Sequence, residues 1–119
     1  MQDYRKLSVW KKAHQLAVAV YAATQDFPAR EVYGLTSQVR RASVSIPANI
    51  AEGCGRAGQA ELGRFLHIAM GSASELEYHL LLARDLKFMK EADHSRLGAQ
   101  VDEVKSMLGA FIRRLKADS

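Results

Sequence analysis

Glu75 and His79 stand one helical turn apart, close enough to share a proton or to hold one side of a metal ion. A di-iron centre inside a helical bundle needs carboxylates from several helices and a Glu-x-x-His pair on two of them. Only Glu91 and His94 have that spacing, and they fall where a turn is expected. The ligand count therefore points to no metal and no cofactor. Cys54 is the single cysteine. It lies at a predicted helix C-terminus, where the dipole opposes a thiolate, and no histidine stands beside it by local spacing. His14, His67 and His94 are isolated. The run Gly53-Cys54-Gly55-Arg56-Ala57-Gly58 lacks the preceding strand and the Lys-Ser/Thr of a phosphate-binding loop. It does precede a helix N-terminus beside Arg56, which allows weak anion binding. No catalytic set emerges, and no small-molecule substrate is evident.

The remaining chemistry is that of phosphates and bases. Tyr4, Arg5, Lys6, Trp10, Lys11 and Lys12 cluster at the start of the chain. Cations interleaved with aromatic rings can neutralise phosphates and stack on bases. They can equally form a solvated helix face with Trp10 turned inward. The net charge is +4, and residues 1–30 hold five basic side chains against two acidic ones. Arg40, Arg56 and Arg64 are further candidate phosphate contacts.

These residues must be positioned by helices. The 119 residues suit one domain, 1–119, with one core. No apolar run is long enough to span a bilayer, and MQDYRKLSVWKK has no apolar segment of the kind that directs secretion. With one cysteine, this suggests a cytoplasmic protein that makes no membrane contact. The periodicities predict four helices at about 8–26, 35–53, 59–87 and 93–116. In the first, Trp10, Ala13, Ala17, Val20, Tyr21 and Thr24 should face inward, with Ser8 as a cap. In the third, the inner stripe is Leu62, Phe65, Leu66, Ala69, Ala73, Leu76, Leu80 and Ala83. In the fourth, Leu97, Val101, Val104, Leu108, Phe111 and Leu115 form a heptad seam. Short connections make an all-α, antiparallel, up-down-up-down four-helix bundle the economical fold.

The second helix is unusual. Leu35, Val39, Ala42, Ile46 and Ile50 make a core stripe, in phase across Pro47, which favours one kinked helix over two. Gln38, Arg41, Ser45, Asn49 and Glu52 form a polar stripe beside it. The far side carries Val44, Ala48 and Ala51, where a surface helix should be charged. That side is the expected interface of a homo-oligomer. On the third helix Glu61, Arg64, Ser72, Glu75 and His79 are the polar counterpart. Antiparallel pairing would set Arg41 near Glu75, Arg64 near Glu52 and Ser45 near Ser72, a structural network that fixes register.

Several of these elements together are characteristic: Val9-Trp10, Phe27-Pro28, Tyr33-Gly34-Leu35, Gln38-Val39-Arg40-Arg41, and above all Ser45-Ile46-Pro47-Ala48-Asn49-Ile50-Ala51-Glu52-Gly53. Arg56, Arg64-Phe65-Leu66, Ile68-Ala69 and Gly71-Ser72-Ala73-Ser74-Glu75-Leu76 continue them. Over residues 4 to 88 the chain resembles the four-helix bundle family encoded in intervening sequences of bacterial large-subunit ribosomal RNA genes. It departs from the family pattern at Gly58, where serine or threonine is usual, and at Leu62, where phenylalanine is. The resemblance implies a homo-oligomeric, five-fold ring. The chain is also similar to the accessory variability proteins of diversity-generating retroelements, basic pentameric bundles that bind nucleic acid. No catalytic residues carry over. The expected function is thus a non-enzymatic oligomeric bundle that binds RNA, DNA or nucleoprotein. A structural or protein-interaction scaffold is the alternative, and an enzyme using Glu52 or Glu75 at a subunit boundary is a third class.

Overall fold

A computed structural model describes residues 2–118. It contains four α-helices and no strand among them: α1 (Ser8–Ala23), α2 (Leu35–Cys54), α3 (Gln59–Asp85) and α4 (Glu91–Asp118). Short 3-10 turns at Tyr4–Lys6 and Ala29–Glu31 precede α1 and α2. Each helix packs on its chain neighbours, and α4 closes on α1, giving a four-cornered bundle about 46 Å long. No helix among the described residues is long and apolar enough to cross a membrane.

The core follows the helical stripes. All five α2 core residues, Leu35, Val39, Ala42, Ile46 and Ile50, are buried, as is the whole α3 stripe. The α4 seam is buried from Leu97 to Phe111, with Leu115 half-buried. The first helix buries four of its six expected inner residues, Ala13, Ala17, Val20 and Thr24, and departs at the other two. Val9, Leu16 and Val20 point inward with Ala13, whereas Tyr21 is 43% exposed and Trp10 half-buried. The two aromatic rings have polar edges that tolerate a boundary position, while leucine and valine gain only by full burial.

Helix ends account for the other shifts. Leu7, not Ser8, occupies the N-cap of α1 and makes no side-chain cap. The same helix ends at Ala23, and Thr24 caps it: its hydroxyl donates to the Val20 carbonyl at 2.8 Å, and its own N–H bonds the same oxygen. Pro47 lies inside one continuous α2. At the end of α3 the N–H of Phe88 reaches the Ala83 carbonyl and that of Lys87 reaches Arg84. This closure needs a left-handed residue, and Lys87 supplies it at φ 65°. Glu91 and Asp93 occupy the first turn of α4, where they favour the helix dipole.

At the α2–α3 turn the late part of one helix meets the early part of the next, and ion pairs join α4 to α3 and to α1. Gly53 lies against Phe65 and Leu62. Glu77 meets Lys105 at 3.3 Å, and Lys12 meets Glu103 at 3.5 Å. Two ends result. At one, the Gln2 N–H bonds the Cys54 carbonyl. At the other, Phe27 packs on Phe88 with ring centroids 5.9 Å apart, and Arg30 lies over Phe88.

Candidate nucleic-acid interface

The candidate phosphate-binding residues fall into two groups. Arg40 is a structural clamp: its Nε donates to Thr24 Oγ1 at 2.8 Å, Nη2 donates to the Tyr21 carbonyl, and the guanidinium lies 4.6 Å from the Tyr21 ring centroid. It ties the end of α1 to α2. The others sit toward the opposite end of the bundle. Arg5 bonds Asp3 at 3.1 Å, Arg56 bonds Glu52 at 2.8 Å and Arg64 bonds Glu61 at 3.1 Å. Arg56 and Arg64 also flank the Phe65 ring, with centroid distances of 5.2 and 4.5 Å. The Arg64 guanidinium holds the Glu61 carboxyl below its ordinary range. Lys6, Lys11 and Lys12 are exposed. Trp10 is not a free stacking platform: His14 stacks on it at 5.0 Å and the Tyr4 edge meets it at 5.0 Å.

The polar stripes do not form the expected ladder of charges. Ser45 Oγ and Ser72 Oγ are 2.8 Å apart, and Asn49 Nδ2 donates to Ser45 Oγ at 2.9 Å. The charged members pair differently. Glu52 takes Arg56 and Arg64 takes Glu61, each partner three or four residues away. Local partners cost less side-chain ordering than partners reached across helices. No ion pair joins Arg41 to Glu75 among the described residues. Arg41 is exposed and lines a cleft with Tyr33, Ser37 and Val44, toward α1. Gln38 is also exposed. Glu75 lies 3.6 Å from His79 Nε2; the His79 ring is buried and its Nδ1 has no hydrogen-bond partner. The Glu91–His94 pair, expected in a turn, lies on the first turn of α4.

The serine contact can be tested by itself. Ser45→Ala strands the buried Ser72 hydroxyl and should cost about 1–3 kcal/mol, whereas Ser72→Ala leaves Ser45 its bond from Asn49 and should cost about 1 kcal/mol. In the double variant the losses should not add, with a coupling of roughly 1 kcal/mol in urea melts. Additive losses would show that the contact carries no energy.

Val44 is 43% exposed, Ala48 is exposed and Ala51 half-buried. Val44 belongs to a longer apolar strip. One open groove between α1 and α2 is lined by His14, Ala17, Val18, Tyr21, Val44 and Pro47. A second, sharing Tyr21 and Val44, extends it to Val32 and Tyr33, and Tyr33 is 95% exposed. The α1 half of this strip, Val18 and Tyr21, has no signature in the α2 pattern that pointed to Val44. Cys54 is buried, and burial pushes its thiol up from the ordinary value, away from thiolate chemistry.

A family model, described as the 23S rRNA-intervening sequence protein, matches residues 5–110. The chain belongs to that family. A crystal structure of a Bacteroides thetaiotaomicron protein of unknown function from the S23 ribosomal protein family superposes with a TM-score of 0.81. It is 24% identical, and the match covers 88% of this chain and 95% of that one. At this identity the likeness speaks for the fold. No curated protein matches the chain. The intervening-sequence family membership thus fixes ancestry and architecture, and leaves the activity to be argued from the surfaces.

Proposed function

We propose that this intervening-sequence protein is a non-enzymatic, cytoplasmic homo-oligomer, a ring of antiparallel up-down-up-down bundles that binds nucleic acid through its cationic surface. The alternation of helix direction is supported by the meeting of late α2 with early α3, at Gly53 with Phe65. The observation that carries assembly is the unpartnered strip of Val18, Tyr21, Val44 and Tyr33 along α1 and α2. Contiguous exposed apolar surface marks an interaction site. A head-to-tail contact repeated around a ring covers such a strip on every copy. The five-fold count rests on the resemblance alone.

A ring also multiplies weak ligand contacts, because each copy presents the same cations at high effective concentration. Phosphate neutralisation releases counterions, so binding should tolerate sequence and fall steeply with salt. The test is fluorescence anisotropy with mixed-sequence RNA and DNA at low salt, on protein whose mass is measured in the same buffer. Binding by an oligomer supports the reading. An oligomer that binds neither nucleic acid leaves a protein scaffold. The engagement of Arg40, Arg56 and Arg64 with partners of their own is the observation that favours that second reading.

A further inference from the structure

The charge of this molecule is partitioned along its long axis, and the partition follows from the topology. Residues 2–12, 52–64 and 107–118 gather at one end. The Gln2 N–H bonds the Cys54 carbonyl, and Gln2 shares a cleft with Arg56 and Gln59. Lys6 and Ser8 share another with Met107 and Arg114. Gln59 and Arg64 share a third with Ile112 and Lys116. The start of the chain brings Arg5, Lys6, Lys11 and Lys12 to this end. The turn before α3 and its first residues bring Arg56 and Arg64, and α4 brings Arg113, Arg114 and Lys116. The same segments hold four carboxylates, Asp3, Glu52, Glu61 and Asp118, so they carry +5; Lys12 also meets Glu103 from outside them. The rest of the chain holds eight basic and nine acidic residues, a net of −1. The segments are far apart in sequence, and only the fold concentrates their charge.

The apolar surface is partitioned the opposite way. The exposed large apolar side chains are Val18, Tyr21, Val32, Tyr33 and Val44 on the α1–α2 side, and Ile68, Tyr78, Leu81 and Leu86 from α3 onward. None belongs to the three basic segments. Strong binding at a membrane surface combines the cations with apolar groups that enter the acyl boundary. The basic end has half-buried ones at most, such as Trp10 and Leu115, and no exposed large apolar side chain, which favours a hydrated polyanion. Five of the nine cations are arginines, whose planar forks match phosphate oxygens in pairs.

We infer that the end of the bundle formed by the chain start, the α2–α3 turn and the last turns of α4 docks the phosphate backbone of nucleic acid, while the α1–α2 flank is reserved for assembly. This rests on the nucleic-acid reading above and narrows it to one surface. Arg40, at the far end, takes no part. Because the two surfaces do not overlap, a ring closed through the flanks keeps its basic ends exposed.

The experiment compares two variants with the same change of formal charge. Arg113→Glu/Arg114→Glu alters the basic end, and Lys87→Glu/Lys90→Glu alters the opposite one. Fluorescein-labelled mixed-sequence RNA and DNA are titrated at several salt concentrations, with phosphatidylserine vesicles as a parallel probe. The basic-end variant should lose affinity by tenfold or more, and its log K against log salt slope should become shallower by about 2. The far-end variant should stay within about threefold of wild type. Circular dichroism and measured mass must match wild type. If the first variant does not fold, Lys6→Glu/Lys11→Glu replaces it at the same end. Wild type that binds nucleic acid while the basic-end variant binds equally well overturns this inference and leaves the broader reading standing. Equal loss in both variants, or vesicle binding in preference to nucleic acid, also overturns it. Wild type that binds neither RNA nor DNA removes the broader reading as well.

Discussion

Replacing Gly53 by valine should destabilise the bundle by about 3 kcal/mol, and alanine there by about 1 kcal/mol, while alanine at Gly98 should stabilise it by nearly 1 kcal/mol. A Cβ at Gly53 would stand 2.9 Å from Phe65 Cβ and 3.1 Å from Leu62 Cδ1, with the Leu62 carbonyl at 3.4 Å. Phe65 Cβ is fixed to the α3 backbone, so relief requires the two helices to separate. Overpacking of this kind costs roughly 1–3 kcal/mol, and alanine recovers about 1 kcal/mol through its helix propensity. Valine adds two more methyl carbons and a β-branch that loses that recovery. A Cβ at Gly98 meets nothing within 4 Å, so only the propensity gain remains. Urea melts of the three variants give the signs directly. A Gly53→Val protein as stable as wild type would mean that α2 and α3 do not approach this closely here.

The same glycine shows how unevenly structure is written in the chain. Gly53 reads in the sequence as a helix stop, yet it is a buried residue inside α2, and Cys54 still belongs to the helix. What selects glycine is the neighbouring helix, which local pattern does not contain. The core stripes of α2, α3 and α4 were legible because each is a run of aliphatic residues at helical spacing. The edges of the α1 stripe were not, because Trp10 and Tyr21 count as apolar by type while occupying the boundary. The turn after α3 has no glycine to mark it, since a lysine takes the left-handed position.

The candidate surfaces divide in the same way. The outer face of α2 at Val44 was legible as small and apolar where charge was due. Its partner residues on α1 were hidden, because a groove between two helices is a property of their packing. The cross-helix pairs Arg41–Glu75 and Arg64–Glu52 satisfied the arithmetic of opposed helices. Glu52 does lie close enough to act on the Arg64 charge, but each takes a nearer partner, Arg56 and Glu61, one turn away. An exposed ion pair is worth too little to hold long side chains apart from nearer ones. Arg41 and Glu75 form no pair among the described residues. The +5 end was invisible in a different sense. Its segments carry +3, 0 and +2, and the turn between α2 and α3 brings them together with the last turns of α4.

Val44→Glu should abolish the proposed assembly and leave folded monomer at micromolar concentration. In a single chain Val44 is 43% exposed, so a glutamate there reaches water and should change folding stability by less than about 0.5 kcal/mol. In an assembly that covers the α1–α2 groove, the same carboxylate would be taken out of water beside Val18, Tyr21 and Pro47. Burying an unpaired charge costs several kcal/mol even after the surroundings relax. A penalty of about 4 kcal/mol at each contact weakens it by roughly a thousandfold, and a closed ring bears that penalty at every interface. Arg41 lines the adjoining cleft, and a carboxylate that found it would escape part of the cost. Val18→Glu, one helix away, is therefore the companion variant. Multi-angle light scattering reads the outcome as mass, and circular dichroism reads the fold. Both variants should be helical and monomeric. If wild type is already monomeric, or if both variants keep its oligomeric mass, the groove is not where copies of the chain meet.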